Sequence, residues 1–195
     1  MKSLIQLCII CLLFSTLYSA CFKSFSIQNY HNVIVFQDEF RGSKKYILKQ
    51  TLYASERSNL TSVNALSIIY EREMIPLQPD NNNIYLIFSR DNSSFTVDKK
   101  GFIKIGETTF PIEAKSMQTE YKTSQSTSTD TSGVMTTETA HWLNDYFNIS
   151  LTTEMMSLLR KNQMLTMRFY AGPVPITFVV KGRDAERFNE WLDKY

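Results

Sequence analysis

"SFTVDKKGFIKIGETTFPIEAK", residues 94–115, is the stretch on which the fold turns. Phe95 and Val97 alternate with polar neighbours, and Asp98-Lys-Lys-Gly101 follows. Ile103 and Ile105 then alternate around Lys104. Gly106-Glu-Thr-Thr109 interrupts, and Phe110, Ile112 and Ala114 alternate with Pro111, Glu113 and Lys115. Successive side chains on a strand point to opposite faces, so a period of two marks a strand with one apolar face. The stretch predicts a three-stranded meander, with glycines in turns that need a positive φ.

The same period extends outward on both sides. "HNVIVFQDEF" (31–40), a break at Gly42-Ser43, and "KKYILKQTLY" (44–53) predict a hairpin over 31–53. Residues 56–64 are loop. "ALSIIYERE" (65–73) puts Leu66, Ile68 and Tyr70 on one face. Two prolines and an Asp-Asn cluster make 75–83 a turn. "IYLIFS" (84–89) is nearly continuous in apolar residues, the pattern of a central strand covered on both faces.

Residues 122–139, "KTSQSTSTDTSGVMTTET", are Ser/Thr-rich. Threonine suits strands, so this segment extends a long hairpin, with a mobile tip within 124–133 where apolar anchors are missing. Toward the C-terminus, "LTTEMMSLLRKNQ" (151–163) predicts a helix capped by Thr152, with Met155, Leu158 and Leu159 inward. "MLTMRFYAGPVPITFVVKG" (164–182) predicts a hairpin turning within 171–175, with Leu165, Met167, Phe169, Ile176, Phe178 and Val180 inward. "DAERFNEWLDKY" (184–195) predicts a last helix capped by Asp184, with Phe188, Trp191, Leu192 and Tyr195 on one stripe. The expected fold class is α+β: a mostly antiparallel sheet or sandwich with two short C-terminal helices packed on it.

The N-terminus differs in kind. "MKSLIQLCIICLLFSTLYSAC" has a cation at Lys2, an apolar run over 4–14, then small and polar residues, the layout of an export signal. That run is shorter than the roughly 20 residues needed to span a bilayer. Two of the three cysteines, Cys8 and Cys11, fall inside it; their C-x-x-C spacing lacks the context of a redox or metal site. The third, Cys21, sits at the junction, and one thiol makes no disulfide scaffold. Ordinary signal peptidase prefers small residues one and three before the cut, and Tyr18 suits that poorly. Ser19-Ala20-Cys21 resembles the lipobox of bacterial lipoproteins in its relaxed, spirochaete-like form, with Tyr18 where a Leu-like residue is usual. The resemblance covers the first 21 residues. It implies lipidation of Cys21 after removal of 1–20 and an exported protein held in the cell envelope by its lipid; the length and patterning of what remains predict a single β-rich domain over 21–195.

Without Lys2, the 21 basic side chains become 20 against 19 acidic ones. No run of Lys or Arg exceeds two, so neither a nucleic-acid partner nor a polybasic membrane patch is expected. Gly101 to Gly106 has the glycine spacing of half a phosphate loop, but Glu107 stands where the lysine belongs. His31 and His141 have no second ligand at metal spacing, and neither G-x-S-x-G nor S-x-x-K occurs. Asp38 and Glu39 point to opposite faces of a strand, while Glu71 and Glu73 share a face beside Arg72 at a strand end read as solvated. Arg168 and Tyr170 point outward if Phe169 points in, as residue types favoured in binding surfaces.

No catalytic set, cofactor or metal is therefore expected. The sequence favours an envelope lipoprotein with a non-catalytic binding or structural domain and a protein or envelope partner. Two alternatives stay open: an extracytoplasmic hydrolase assembled from scattered residues around His141, and a soluble secreted glycoprotein using the N-x-[ST] sites at Asn59, Asn92 and Asn148.

Overall fold

The computed structural model describes residues 32–56, 60–129, 131–133 and 135–194. Cys21, His31, Asn59 and Tyr195, and with them the export signal, lie outside the described residues.

Ten strands and two helices follow in chain order: β1 (Ile34–Asp38), β2 (Ser43–Tyr53), β3 (Ala65–Met74), β4 (Asn81–Arg90), β5 (Lys100–Ile105), β6 (Thr108–Glu113), β7 (Lys115–Thr129), β8 (Met135–Ser150), α1 (Thr153–Asn162), β9 (Leu165–Ala171), β10 (Val174–Val179) and α2 (Arg183–Asp193). All pairings are antiparallel. The large sheet has the order β1-β2-β3-β4-β8-β7, and the small sheet β10-β9-β5-β6. The fold is α+β, as the period-two patterning predicts.

The two sheets and two helices share one core. Leu48, Leu66, Ile68 and Leu86 come from the large sheet, Ile103, Met167 and Phe169 from the small one, and Leu159, Phe188 and Trp191 from the helices. Phe88 on β4 ties the layers together: its ring meets Phe147 of its own sheet at 5.7 Å, and Phe169 and Phe178 of the other at 5.1 and 6.0 Å. Helix α2 covers β2 and β3. Tyr70 packs on Phe188 and Trp191, and Trp191 Nε1 donates to Tyr46 O at 3.1 Å.

Four local expectations are corrected. The meander of 94–115 has two strands, β5 and β6, joined at Gly106 with φ +57. Its third member is β9, which takes β5's other edge, while Val97 makes a single bridge to Ala171. Gly101 belongs to β5 and to no turn. A Cβ there would lie 2.5 Å from Arg168 O and 2.9 Å from the Phe169 ring, so the residue is small because two strands and a ring crowd it. Strand β4 begins three residues earlier than the apolar run, and its sides differ: Ile84, Leu86 and Phe88 are buried, Tyr85 and Ile87 half-buried. Lastly, Asp184 lies in the first turn of α2, and the cap is Gly182 at φ +56, without a side-chain cap bond. In α1 the expected cap holds, with Met155 N donating to Thr152 Oγ1.

The Ser/Thr-rich segment forms ladder almost to its tip, where Thr129 pairs with Met135. Strand β8 pairs with β4 only as far as Leu143 opposite Arg90. Past that point β7 and β8 continue as a two-stranded arm whose residues from Thr123 to His141 are exposed on both faces where described.

Candidate functional site on the outer face of the small sheet

Once Ile103 and Ile105 turn inward, strand alternation forces Lys100, Phe102 and Lys104 outward, and Thr166, Arg168 and Tyr170 follow on β9. The register then sets Pro111, Phe102, Arg168 and Thr177 in one row across all four strands. Arg168 Nε donates to Thr177 Oγ1 at 3.0 Å, which leaves its terminal nitrogens without hydrogen-bond partners among the described residues. Phe102 is 40% exposed.

Two open depressions meet at this row. One, of about 210 Å³, is walled by Phe102, Lys104, Arg168 and Tyr170. The other, of about 510 Å³, lies between Lys100, Phe102, Pro111 and Tyr170. Phe102 and Tyr170 border both. Among the cations, Lys104 touches Glu107 at 3.5 Å and Lys99 binds Glu113 at 2.9 Å, while Lys100 has no ion-pair partner among the described residues. The bond to Lys99 holds the Glu113 carboxyl below its ordinary value and Lys99 above its own. The face thus offers two aromatic rings, Phe102 and Tyr170, three cations of which Lys100 and Arg168 have no carboxylate partner among the described residues, and several hydroxyls, with Asp98 and Glu113 on the wall of the larger depression. That set suits a ligand with an apolar or ring face and anionic groups at its edge.

The remaining candidates are dispersed. His141 is exposed on the arm, stacked on Tyr121 at 5.7 Å between ring centroids, and lines none of the depressions described. Asp38 Oδ1 accepts from Phe40 N and Arg41 N and shapes the β1–β2 turn. Glu71 pairs with Lys45 at 3.4 Å, and burial and Glu71 together raise the Tyr85 phenol. Arg72, read as solvated, is fully buried: its guanidinium carbon sits 4.8 Å over the Trp191 ring and Nη1 donates to Lys194 O at 2.6 Å. Gly101 to Gly106 spans β5. Asn92 is in an exposed turn, and Asn148 sits within β8 opposite Lys115 and Tyr85. No group of three His, Cys, Asp or Glu among the described residues could hold a metal ion. No helix among them is long and apolar enough to cross a membrane.

Sequence reasoning passed over Phe102, although the inward isoleucines on either side of Lys104 determine its direction. It also missed the buried Arg90–Asp145 pair, because charged residues in a strand read as its solvated face. The chain matches no protein-family model, and neither curated proteins nor solved structures give a match.

Proposed function

We propose that this chain is an exported envelope protein, anchored through lipid on Cys21, whose domain binds a partner without catalysis through the outer face of the small sheet. The row Phe102–Arg168 carries the binding half of this reading. An exposed phenylalanine flanked by cations and bordered by open depressions has the chemistry of a recognition surface. The anchoring half is supported by the short apolar leader and by a lone post-leader cysteine placed at its end. A lipid attached there supplies the membrane affinity, and a second acyl chain makes it stable.

Two arms test the proposal. Labelled palmitate should enter the parent chain and not Cys21→Ala, and globomycin should arrest processing. Capture of envelope components by the parent chain should be lost for Phe102→Ala and Arg168→Ala while Lys49→Ala retains it. Absence of label removes the anchor, and equal capture by all variants removes the site.

A further inference from the structure

We infer that β7 is an interface strand and that its partner is β7 of a second copy of this chain, paired antiparallel about Tyr121. The inference is independent of lipidation and of the Phe102–Arg168 face.

β7 ends the large sheet, so its outer edge presents unpaired N–H and C=O groups. Natural edges are blunted by prolines, repeated charges, shortness or bulges. Strand β7 runs fifteen residues without proline. Its one bulge lies between Ser116 and Gln118, which ends regular pairing there and leaves Gln118–Thr129 as a regular edge. Past Leu143 only β8 supports this edge, and a two-stranded ribbon exposed on both faces is marginal in water. A second copy paired over Gln118–Ser124 makes the base of the arm four-stranded.

Symmetry and charge choose the register. Directly opposed residues alternate between hydrogen-bonded and non-hydrogen-bonded pairs. A two-fold axis must therefore place some residue opposite its own copy, and positions opposite one another then sum to an even number. The charged residues from Gln118 to Thr129 are Glu120 and Lys122. Centring on Glu120 or on Lys122 opposes like charges, which is unfavourable, and centring on any residue but Tyr121 leaves neither charge opposite its complement. Centring on Tyr121 sets Glu120 of each copy opposite Lys122 of the other and lets Gln118–Ser124 pair fully. Within one chain, Lys122 Nζ already lies 2.7 Å from Glu120 Oε1, and Tyr146 OH donates to Glu120 Oε2 at 2.9 Å. Pairing closes these charges into an alternating square of four. On the opposite face Tyr121, 53% exposed and stacked on His141, meets its own copy as an aromatic cross-strand pair.

Charge exchange and cross-linking on the full chain test this. Sedimentation equilibrium should show a concentration-dependent dimer. Glu120→Lys and Lys122→Glu should each weaken it about tenfold, since each sets two like pairs in opposition. The double exchange Glu120→Lys/Lys122→Glu should restore dimerisation with itself and disfavour mixed dimers with the parent. Mild oxidation should cross-link Tyr121→Cys to itself, beyond any background in the parent, and should leave Thr123→Cys without a cross-link because Thr123 faces Thr119 of the other copy. A parent that stays monomeric, a double exchange that fails to rescue, or cross-linking at Thr123→Cys in place of Tyr121→Cys overturns the inference.

Discussion

Arg90 Nε donates to Asp145 Oδ2 at 2.6 Å, across the β4–β8 pair, with the two side chains only 8% and 2% exposed. Thr119 Oγ1 donates to the other oxygen of Asp145 at 2.8 Å, and Arg90 Nη1 reaches Ser94 O at 3.3 Å. The pair joins the base of the arm to the turn that leads into the small sheet.

Breaking this pair leaves an uncompensated buried charge. Asp145→Ala should cost about 3–5 kcal/mol in urea unfolding, and Arg90→Ala a similar amount. Replacing both with apolar side chains, Arg90→Met with Asp145→Leu, should cost less than either single change. A double variant as unstable as the sum of the singles would show that the two side chains do not couple, and would overturn this account.

Tyr70 points the other way. Its ring is fully buried, and its hydroxyl has no hydrogen-bond partner among the described residues. Burial first, and then the charge of Asp184, push its phenol well above 10.0. The folded-state value exceeds the unfolded one, so this contribution to stability is complete below about pH 10 and is lost as pH rises beyond it. Tyr70→Phe should be neutral or stabilising by up to about 1 kcal/mol near pH 7. It should also flatten the fall of the unfolding midpoint above pH 10, which a pH series of urea melts reads directly.

Gly101 is a steric prediction. Gly101→Ala places a methyl group against Arg168 O and the Phe169 ring, where β5 and β9 meet. The cost should be about 1–3 kcal/mol, typical of an overpacked core. Because Arg168 is displaced too, ligand capture by the Phe102–Arg168 face should fall in the same variant. Thermal melts and capture assays on one preparation check both.

The arm's tip should be the first site of limited proteolysis. Ladder pairing stops at Thr129 opposite Met135, so cleavage should start between Ser128 and Gly133. Pairing of two copies over Gln118–Ser124 leaves the tip uncovered, so the nick should persist at dimerising concentrations. A first cut elsewhere would mean that the tip is shielded.

Much of the fold was legible because local rules sufficed. Leu66, Ile68 and Tyr70, and the inward sets on β9 and β10, follow from alternation alone. The errors mark where distant chain intervened. Nothing local to Phe95–Val97 says that Leu165–Arg168 of β9 will take the edge of β5 expected for a third meander strand, leaving Val97 a single bridge to Ala171. Nothing around Arg72 says that the end of α2 will cover it, because the carbonyl it binds lies 122 positions away. The candidate face was half legible: Arg168 and Tyr170 were seen as outward, but Phe102 joins them only through a β5–β9 register that single-strand patterning does not contain.

The bond from Trp191 to Tyr46 O bridges 145 positions, nearly the whole described chain. Its bearing is on time. A core whose wall over β2 and β3 is helix α2 cannot be completed while that helix is still being made. Tyr46, Tyr70 and Arg72 must wait, partly covered, for Phe188 and Trp191 to arrive. Shortening the chain by its final dozen residues should therefore leave a sticky intermediate in place of a smaller folded protein, and refolding should be slow, as long-range pairing dictates.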